Sequence, residues 1–290
     1  MLIHHSFTGM ARVYFHHLPG GMPHVHERFV PHSHDGHTIV AVCGKGGVGK
    51  TAFSAMLASV CADSGSFNRI LVVDADPALG LAMALEVDVR HTIGEVREQI
   101  IKTAQNGDSD EGKILADRLD YLILESLIEN ERFSFLAMGR SEALGCYCSV
   151  NDLLRDAMDV LAKEFDLIII DGEAGLEQIN RQVVAGVDRL VLVTDASKRS
   201  IATVEQLLSI AVGEEFVKDE DCVVVASRPA YEGQELLDAL GDNASRLIGV
   251  VPNDKEVALL DSEGVSLEEL DMSSEAYHSV YHIAEHLFAR

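Results

Sequence analysis

Gly44-Lys45-Gly46-Gly47-Val48-Gly49-Lys50-Thr51 stands directly after the β-branched apolar run Thr38–Cys43 and at the head of Lys50–Asp63, whose pattern predicts a helix. Strand, glycine-rich turn, helix is the setting a phosphate-binding loop requires. Glycine lets the backbone turn so that successive N–H groups face one point, and the start of the following helix adds positive potential there. Lys50 then reaches the β- and γ-phosphates, Gly46, Gly47, Val48 and Gly49 supply backbone N–H groups, and Thr51 offers a hydroxyl to magnesium. The general pattern gives no role to the second lysine, Lys45.

The same alternation continues outward from the loop. Apolar runs at Arg69–Val73, Leu167–Ile170, Leu190–Val193, Cys222–Ala226 and Leu247–Val251 predict strands. Amphipathic spacing predicts helices at Thr92–Asn106, Ser149–Phe165, Glu177–Ala185, Ile201–Val212 and Ser274–Phe288, whereas Leu122–Glu125 and Phe133–Met138 fit either state. Continuous apolar strands separated by helices imply an α/β fold with a mostly parallel sheet and helices on both faces. Ligands of such sheets sit at the carboxyl ends of strands, and polar signatures follow three of them: Gly44–Thr51, Asp74–Pro77 and Asp171–Gly175. With no internal repeat and no long linker, residues 38–290 form the expected single domain.

Of the 290 residues, 47% are hydrophobic and 24% charged, enough apolar material for a sizeable core. Lys and Arg number 23 against 47 Asp and Glu, giving a net charge of −24 that repels phosphate backbones and anionic lipid. Nucleic-acid and membrane-surface roles are therefore not expected, and neither a spanning segment nor a secretion signal is evident, so a cytoplasmic location is. Residues 1–37 differ in kind: they hold nine of the 13 histidines, scattered in pairs and His-x-His spacings. Such a His-rich N-terminal extension is either a metal-binding segment or a leader without function. Five cysteines argue against a disulfide framework, and only Cys146 and Cys148 are close enough in sequence to act as a pair.

With Lys45 included, Gly44–Thr51 resembles the deviant Walker A P-loop of the ATPase family that contains the nitrogenase iron protein, division-site-placing ATPases and metal-insertion ATPases. The resemblance implies an ATP-dependent homodimer in which Lys45 crosses to the partner's nucleotide. Val72-Val73-Asp74-Ala75-Asp76-Pro77 resembles the family's first switch, which implies that Asp76 positions or activates the attacking water. Phe165–Asp171 is similar to its Walker B strand, with Asp171 holding magnesium through a water; each aspartate alone also fits a helix cap. Val250–Asp254 resembles the adenine-contacting turn, placing Val251, Pro252 and Asn253 at the base, while the family's Asn-Arg pair stands here as Ser227-Arg228.

Within that family, Met138–Arg155, which contains Cys146-Tyr147-Cys148, resembles the Cys-x-Cys region of CooC-type ATPases, accessory proteins for nickel insertion into carbon monoxide dehydrogenase. Asp171–Glu177 and Thr194–Ser200 resemble the same group, and the likeness spans residues 38 to about 290. Two thiolates cannot close a four-coordinate site, so Cys146 and Cys148 from each of two subunits would share one zinc or nickel ion on the dimer axis. The implied function is an ATP-hydrolysing homodimeric metallochaperone for a client metalloenzyme, carbon monoxide dehydrogenase. An ATP-gated iron–sulfur electron-transfer protein like the nitrogenase iron protein is the alternative; it carries widely separated cysteines.

Overall fold

A computed structural model of the chain describes residues 36–105, 119–140, 158–172, 184 and 186–289, without the side chains of 103–105 and 120. The eight strands among them are β1 (Thr38–Gly44), β2 (Ile70–Asp74), β3 (Ile128–Glu129), β4 (Ser134–Ala137), β5 (Leu167–Asp171), β6 (Arg189–Thr194), β7 (Cys222–Ser227) and β8 (Leu247–Val251). They form one sheet in the order β3-β4-β2-β5-β1-β6-β7-β8. All neighbours pair in parallel except β3 with β4 at one edge.

Burial on both faces explains the sequence pattern. Every residue of β1, β2 and β5 is buried. Alternate β1 side chains feed opposite cores: Ile39, Ala41 and Cys43 on one face, Val40 and Val42 on the other. Each fully buried Val, Leu or Ile contributes roughly 1.5–3 kcal/mol.

Helix α1 (Lys50–Asp63) packs on one face of the sheet beside the C-terminal helix Glu275–Leu287 and buries ten of its 14 residues, so it has no polar face. The C-terminal helix also seats against β8 so closely that a Cβ on Gly249 would stand 2.3 Å from Ile283 Cγ1. Helices Ile93–Gln105 and Lys198–Gly213 follow from their sequence spacing. The ambiguous segments resolve as helix Leu119–Ser126 and strand β4.

Among the described residues three helices have no counterpart in the sequence expectation. Gly80–Ala84 is too short to show a period, Lys255–Glu263 buries no residue, and Gly233–Leu240 buries only Leu236 and Leu240. The expected helix Glu177–Ala185 lies outside the described residues apart from Val184, as does all of Ser149–Phe165 before Met158. No described helix is long and apolar enough to cross a membrane.

Candidate functional site

The strand order reverses direction about β1: the chain leaves it for β2 on one side and later returns to build β6, β7 and β8 on the other. A crevice forms at the carboxyl edge of such a reversal. The register brings Gly44 beside Val193, Asp74 beside Asp171, and Ser227 beside Val251 along this edge.

The phosphate loop is tightly shaped. Gly44, Gly47 and Gly49 have φ of 148°, 82° and 94°. A Cβ on Gly44 would stand 2.3 Å from the Val193 carbonyl oxygen, and one on Gly49 2.9 Å from Ser227 Oγ. Both positions exclude side chains as well as favouring glycine's backbone freedom. Gly46 and Gly47 are exposed, Val48 is buried, and Lys50 is buried with its Nζ 3.4 Å from the Lys45 carbonyl oxygen.

At the head of α1, Thr51 Oγ1 donates to Asp171 Oδ2 at 2.9 Å, and Ser54 Oγ donates to Asp171 Oδ1 at 2.9 Å. Asp171 is buried, and burial pushes its carboxyl up to about 7 against the pull of these two hydroxyls. Asp74 sits beside it on β2 and is likewise raised by burial, to about 6. Its carboxylate accepts the N–H groups of Asp76 (3.0 Å), Leu81 (3.0 Å) and Ala82 (3.1 Å). Asp76 is half-buried, and its Oδ1 accepts the Ala78 N–H at 2.8 Å.

Oxygen donors of this kind suit magnesium, a hard cation that prefers carboxylate, hydroxyl and phosphate oxygens. Thr51 and Asp171 are already in hydrogen-bond contact, and the two buried carboxylates at the strand ends make a local negative site that a cation neutralises.

The ends of β7 and β8 meet the phosphate loop. Arg228 Nη2 donates to the Gly47 carbonyl oxygen at 3.0 Å, so its guanidinium lies on the phosphate loop in this structure. Its backbone, at φ 48°, donates N–H to the Val251 carbonyl oxygen at 2.8 Å. Ser227 and Val251 are buried, Pro252 is half-buried and Asn253 exposed. Thus Arg228 links the end of β8 to the loop.

Lys45 lies close enough to Asp195, after β6, for its charge to act there. Burial works against ionisation of Asp195, yet hydrogen bonds from Ser197 and the Lys45 charge hold its carboxyl below the usual range. Sequence reasoning assigned no role to Ser54, Asp74 or Asp195. Ser54 carries a readable signal, since a residue three past Thr51 shares its helix face; the roles of Asp74 and Asp195 depend on contacts from distant segments.

Cys146 and Cys148 lie outside the described residues. Among the described residues no group of three or more His, Cys, Asp and Glu could hold a metal. Cys43, Cys61 and Cys222 are buried, with thiols raised chiefly by burial, to about 12 at Cys43 and about 11 at Cys222. They are core fillers rather than reactive thiols.

Comparison with known proteins agrees with this geometry. A family model described as an AAA domain matches residues 36–217. An uncharacterized ATP-binding protein of Methanocaldococcus jannaschii is 42% identical over 248 residues, covering 85% of this chain and 97% of that protein. The carbon monoxide dehydrogenase accessory protein CooC of Rhodospirillum rubrum is 32% identical over 184 residues, 59% of this chain and 68% of CooC. The septum site-determining protein MinD of Pyrococcus horikoshii, solved with Mg-ADP, shares the fold with a TM-score of 0.61 at 18% identity, covering 87% of this chain and 96% of that one. The phosphate loop, the eight-stranded mostly parallel sheet and these relatives together show that the chain belongs to the AAA domain family of P-loop ATPases.

Proposed function

We propose that the protein is an ATP-hydrolysing homodimeric metallochaperone that assists nickel insertion into a metalloenzyme, carbon monoxide dehydrogenase being the expected client. The observation that carries the metal role is Cys146-Tyr147-Cys148 in a chain 32% identical to the CooC of Rhodospirillum rubrum. Support for the hydrolytic part comes from the Thr51–Asp171 contact behind the phosphate loop and from the same fold solved with Mg-ADP.

In this reading the N–H groups of Gly46, Gly47, Val48 and Gly49 and the Lys50 ammonium hold the phosphates. Thr51 and Asp171 would hold magnesium, and Ser54, which donates to Asp171, would fix that carboxylate. Magnesium supplies neutralisation of the charge that develops on the phosphate oxygens. Asp76 orients the attacking water, and Lys45 leaves Asp195 to reach the partner's nucleotide. Ser227, Arg228, Val251, Pro252 and Asn253 border the base.

Closure of the dimer brings Cys146 and Cys148 of both subunits together around one zinc or nickel ion, the cargo, and hydrolysis reopens the site. Metal content of the purified dimer, measured with and without ATP, tests the reading. One nickel or zinc per two chains, retained with ATP and lost on hydrolysis, is expected. Iron with a brown chromophore in anaerobically purified protein would replace it with an electron-transfer function.

A further inference from the structure

Between β2 and helix Gly80–Ala84 the chain makes a turn, residues 75–79, that carries Asp76 and leads into Gly80, which lies against Thr51. A Cβ on Gly80 would lie 3.7 Å from Thr51 Cγ2. Leu79, the residue before that helix, has φ 55° and ψ 40°, a left-handed conformation that costs about 1–2 kcal/mol for a residue with a Cβ. Something must hold the turn in this shape.

Asp74 is fully buried at the end of β2, and both of its carboxylate oxygens are occupied by backbone N–H groups from across the turn. Oδ1 accepts from Asp76 at 3.0 Å, and Oδ2 from Leu81 at 3.0 Å and Ala82 at 3.1 Å. One carboxylate therefore spans the turn from its second residue to the first turn of the helix beyond it. Leu79 N–H in addition donates to the Asp76 carbonyl oxygen at 3.0 Å, closing the turn on itself.

The β2 end that bears this carboxylate is fixed independently. Asp74 carbonyl oxygen accepts the Met138 N–H at 2.8 Å, and the Ala75 N–H donates to the Asp171 carbonyl oxygen at 3.0 Å. The carboxylate is thus anchored to the rigid sheet, while one of its three partners belongs to the strained turn and two to the first turn of the helix beyond it.

We propose that Asp74 is a positioning residue for hydrolysis: a latch that holds the strained turn, and with it Asp76, at the distance from Thr51 and Asp171 that the attacking water requires. Asp74 touches neither phosphate nor metal in this role. It acts through the turn, so its loss changes the chemical step and leaves nucleotide binding in place. The role rests on Asp76 being the water-positioning residue, and the test separates the two.

Asp74→Asn keeps the shape but replaces one acceptor oxygen with an NH2 group, which faces N–H donors on one side of the latch. With the strain released, turnover is expected to fall about tenfold, the equivalent of the strain in one left-handed residue, while nucleotide Kd and KM stay within about twofold. Leu79→Gly removes the cost of the left-handed turn. Combined with Asp74→Asn, it is expected to recover a good part of the lost turnover, while Leu79→Gly alone changes turnover little. A merely structural role for Asp74 predicts no such rescue.

Normal turnover in folded Asp74→Asn, or a double variant no better than Asp74→Asn alone, overturns the latch. Asp76→Ala is measured beside them: normal turnover there refutes the reading of Asp76, whereas slow Asp76→Ala with normal Asp74→Asn refutes the latch alone. Should Asp74→Asn not fold, amide hydrogen exchange on the native chain decides. The half-buried Asp76 amide is expected to be protected in the nucleotide-free protein, and exchange at the rate of a free amide overturns the proposal.

Discussion

Thr51 and Asp171 stand 120 residues apart in the chain and are joined by a 2.9 Å hydrogen bond from the threonine hydroxyl to the carboxylate. One heads the helix behind the phosphate loop and the other ends the strand beside β1, so the contact exists only once the parallel sheet has formed. It places two oxygen donors together behind the phosphate loop, the pair that the proposed function assigns to magnesium.

The separate positions of Lys50 and Asp76 predict separable defects. Lys50→Ala removes a cation from the loop and is expected to weaken nucleotide binding by roughly 10- to 100-fold, the worth of a charge-assisted hydrogen bond. Asp76→Ala is expected to bind normally and lower turnover by about 10²- to 10⁴-fold. Equilibrium binding and steady-state turnover on both variants check this, and normal hydrolysis in Asp76→Ala refutes its role.

The pattern that made the fold readable is the one that buries it. β1, β2 and β5 are apolar at nearly every position because helices cover both faces, and the loop glycines announced the first turn. Lys255–Glu263 escaped notice because a helix that buries nothing leaves no apolar stripe. Asp74 and Ser54 were visible as residues but not as parts of the site: what defines them is a hydrogen bond to the turn in one case and to Asp171 in the other. The contact of Arg228 with Gly47 was not legible either, because the reach of a long side chain back to the loop is a direction that no spacing encodes.

Burial of Asp171 predicts a pH effect on stability. Its carboxyl is raised from 3.8 to about 7, chiefly by burial, so the folded chain holds a proton that the unfolded chain has released between those values. Stability from this group is complete below about 4 and is lost as pH rises to about 7. Other carboxylates titrate too, so the informative quantity is a difference. In metal-free buffer, Asp171→Asn should gain on the native chain as pH rises through that window, and a difference independent of pH counts against the buried, proton-holding carboxylate.

The contact of β8 with the C-terminal helix predicts a packing defect away from the site. Gly249→Ala drives a methyl to within 2.3 Å of Ile283 Cγ1 unless the helix shifts. The expected cost is about 1–3 kcal/mol, and trimming the opposing side chain by Ile283→Val should return part of it. Thermal melts of the single and double variants measure this; a Gly249→Ala chain as stable as the native one would show that the helix moves freely.

Lys45 predicts a dimer-specific phenotype. Its charge acts on Asp195 of its own chain in this structure, and the proposed function has it cross to the partner's nucleotide. Lys45→Ala should therefore leave nucleotide binding by the monomer within a few-fold of native and abolish nucleotide-induced association. Sedimentation with a non-hydrolysable ATP analogue decides: an unchanged dimer fraction removes the crossing lysine.

The shared metal site is tested after the histidine-rich extension has been set aside. Nine histidines in residues 1–37 would bind nickel or zinc themselves, with affinity falling as pH drops through the imidazole range, and would mask a single tighter site. A chain beginning at Thr38 retains every residue proposed to bind nucleotide. In that chain metal should titrate at one ion per two subunits, because each supplies only Cys146 and Cys148 toward a four-ligand site. Binding should draw the monomer–dimer balance toward dimer by mass action, and Cys146→Ser or Cys148→Ser should remove both effects while leaving nucleotide binding by the monomer intact. Coupling is reciprocal: if ATP favours the same closed dimer, ATP tightens metal and metal tightens ATP by the same factor. One ion per monomer, indifferent to either serine, would return the two cysteines to a structural role and leave the ATPase without its proposed cargo.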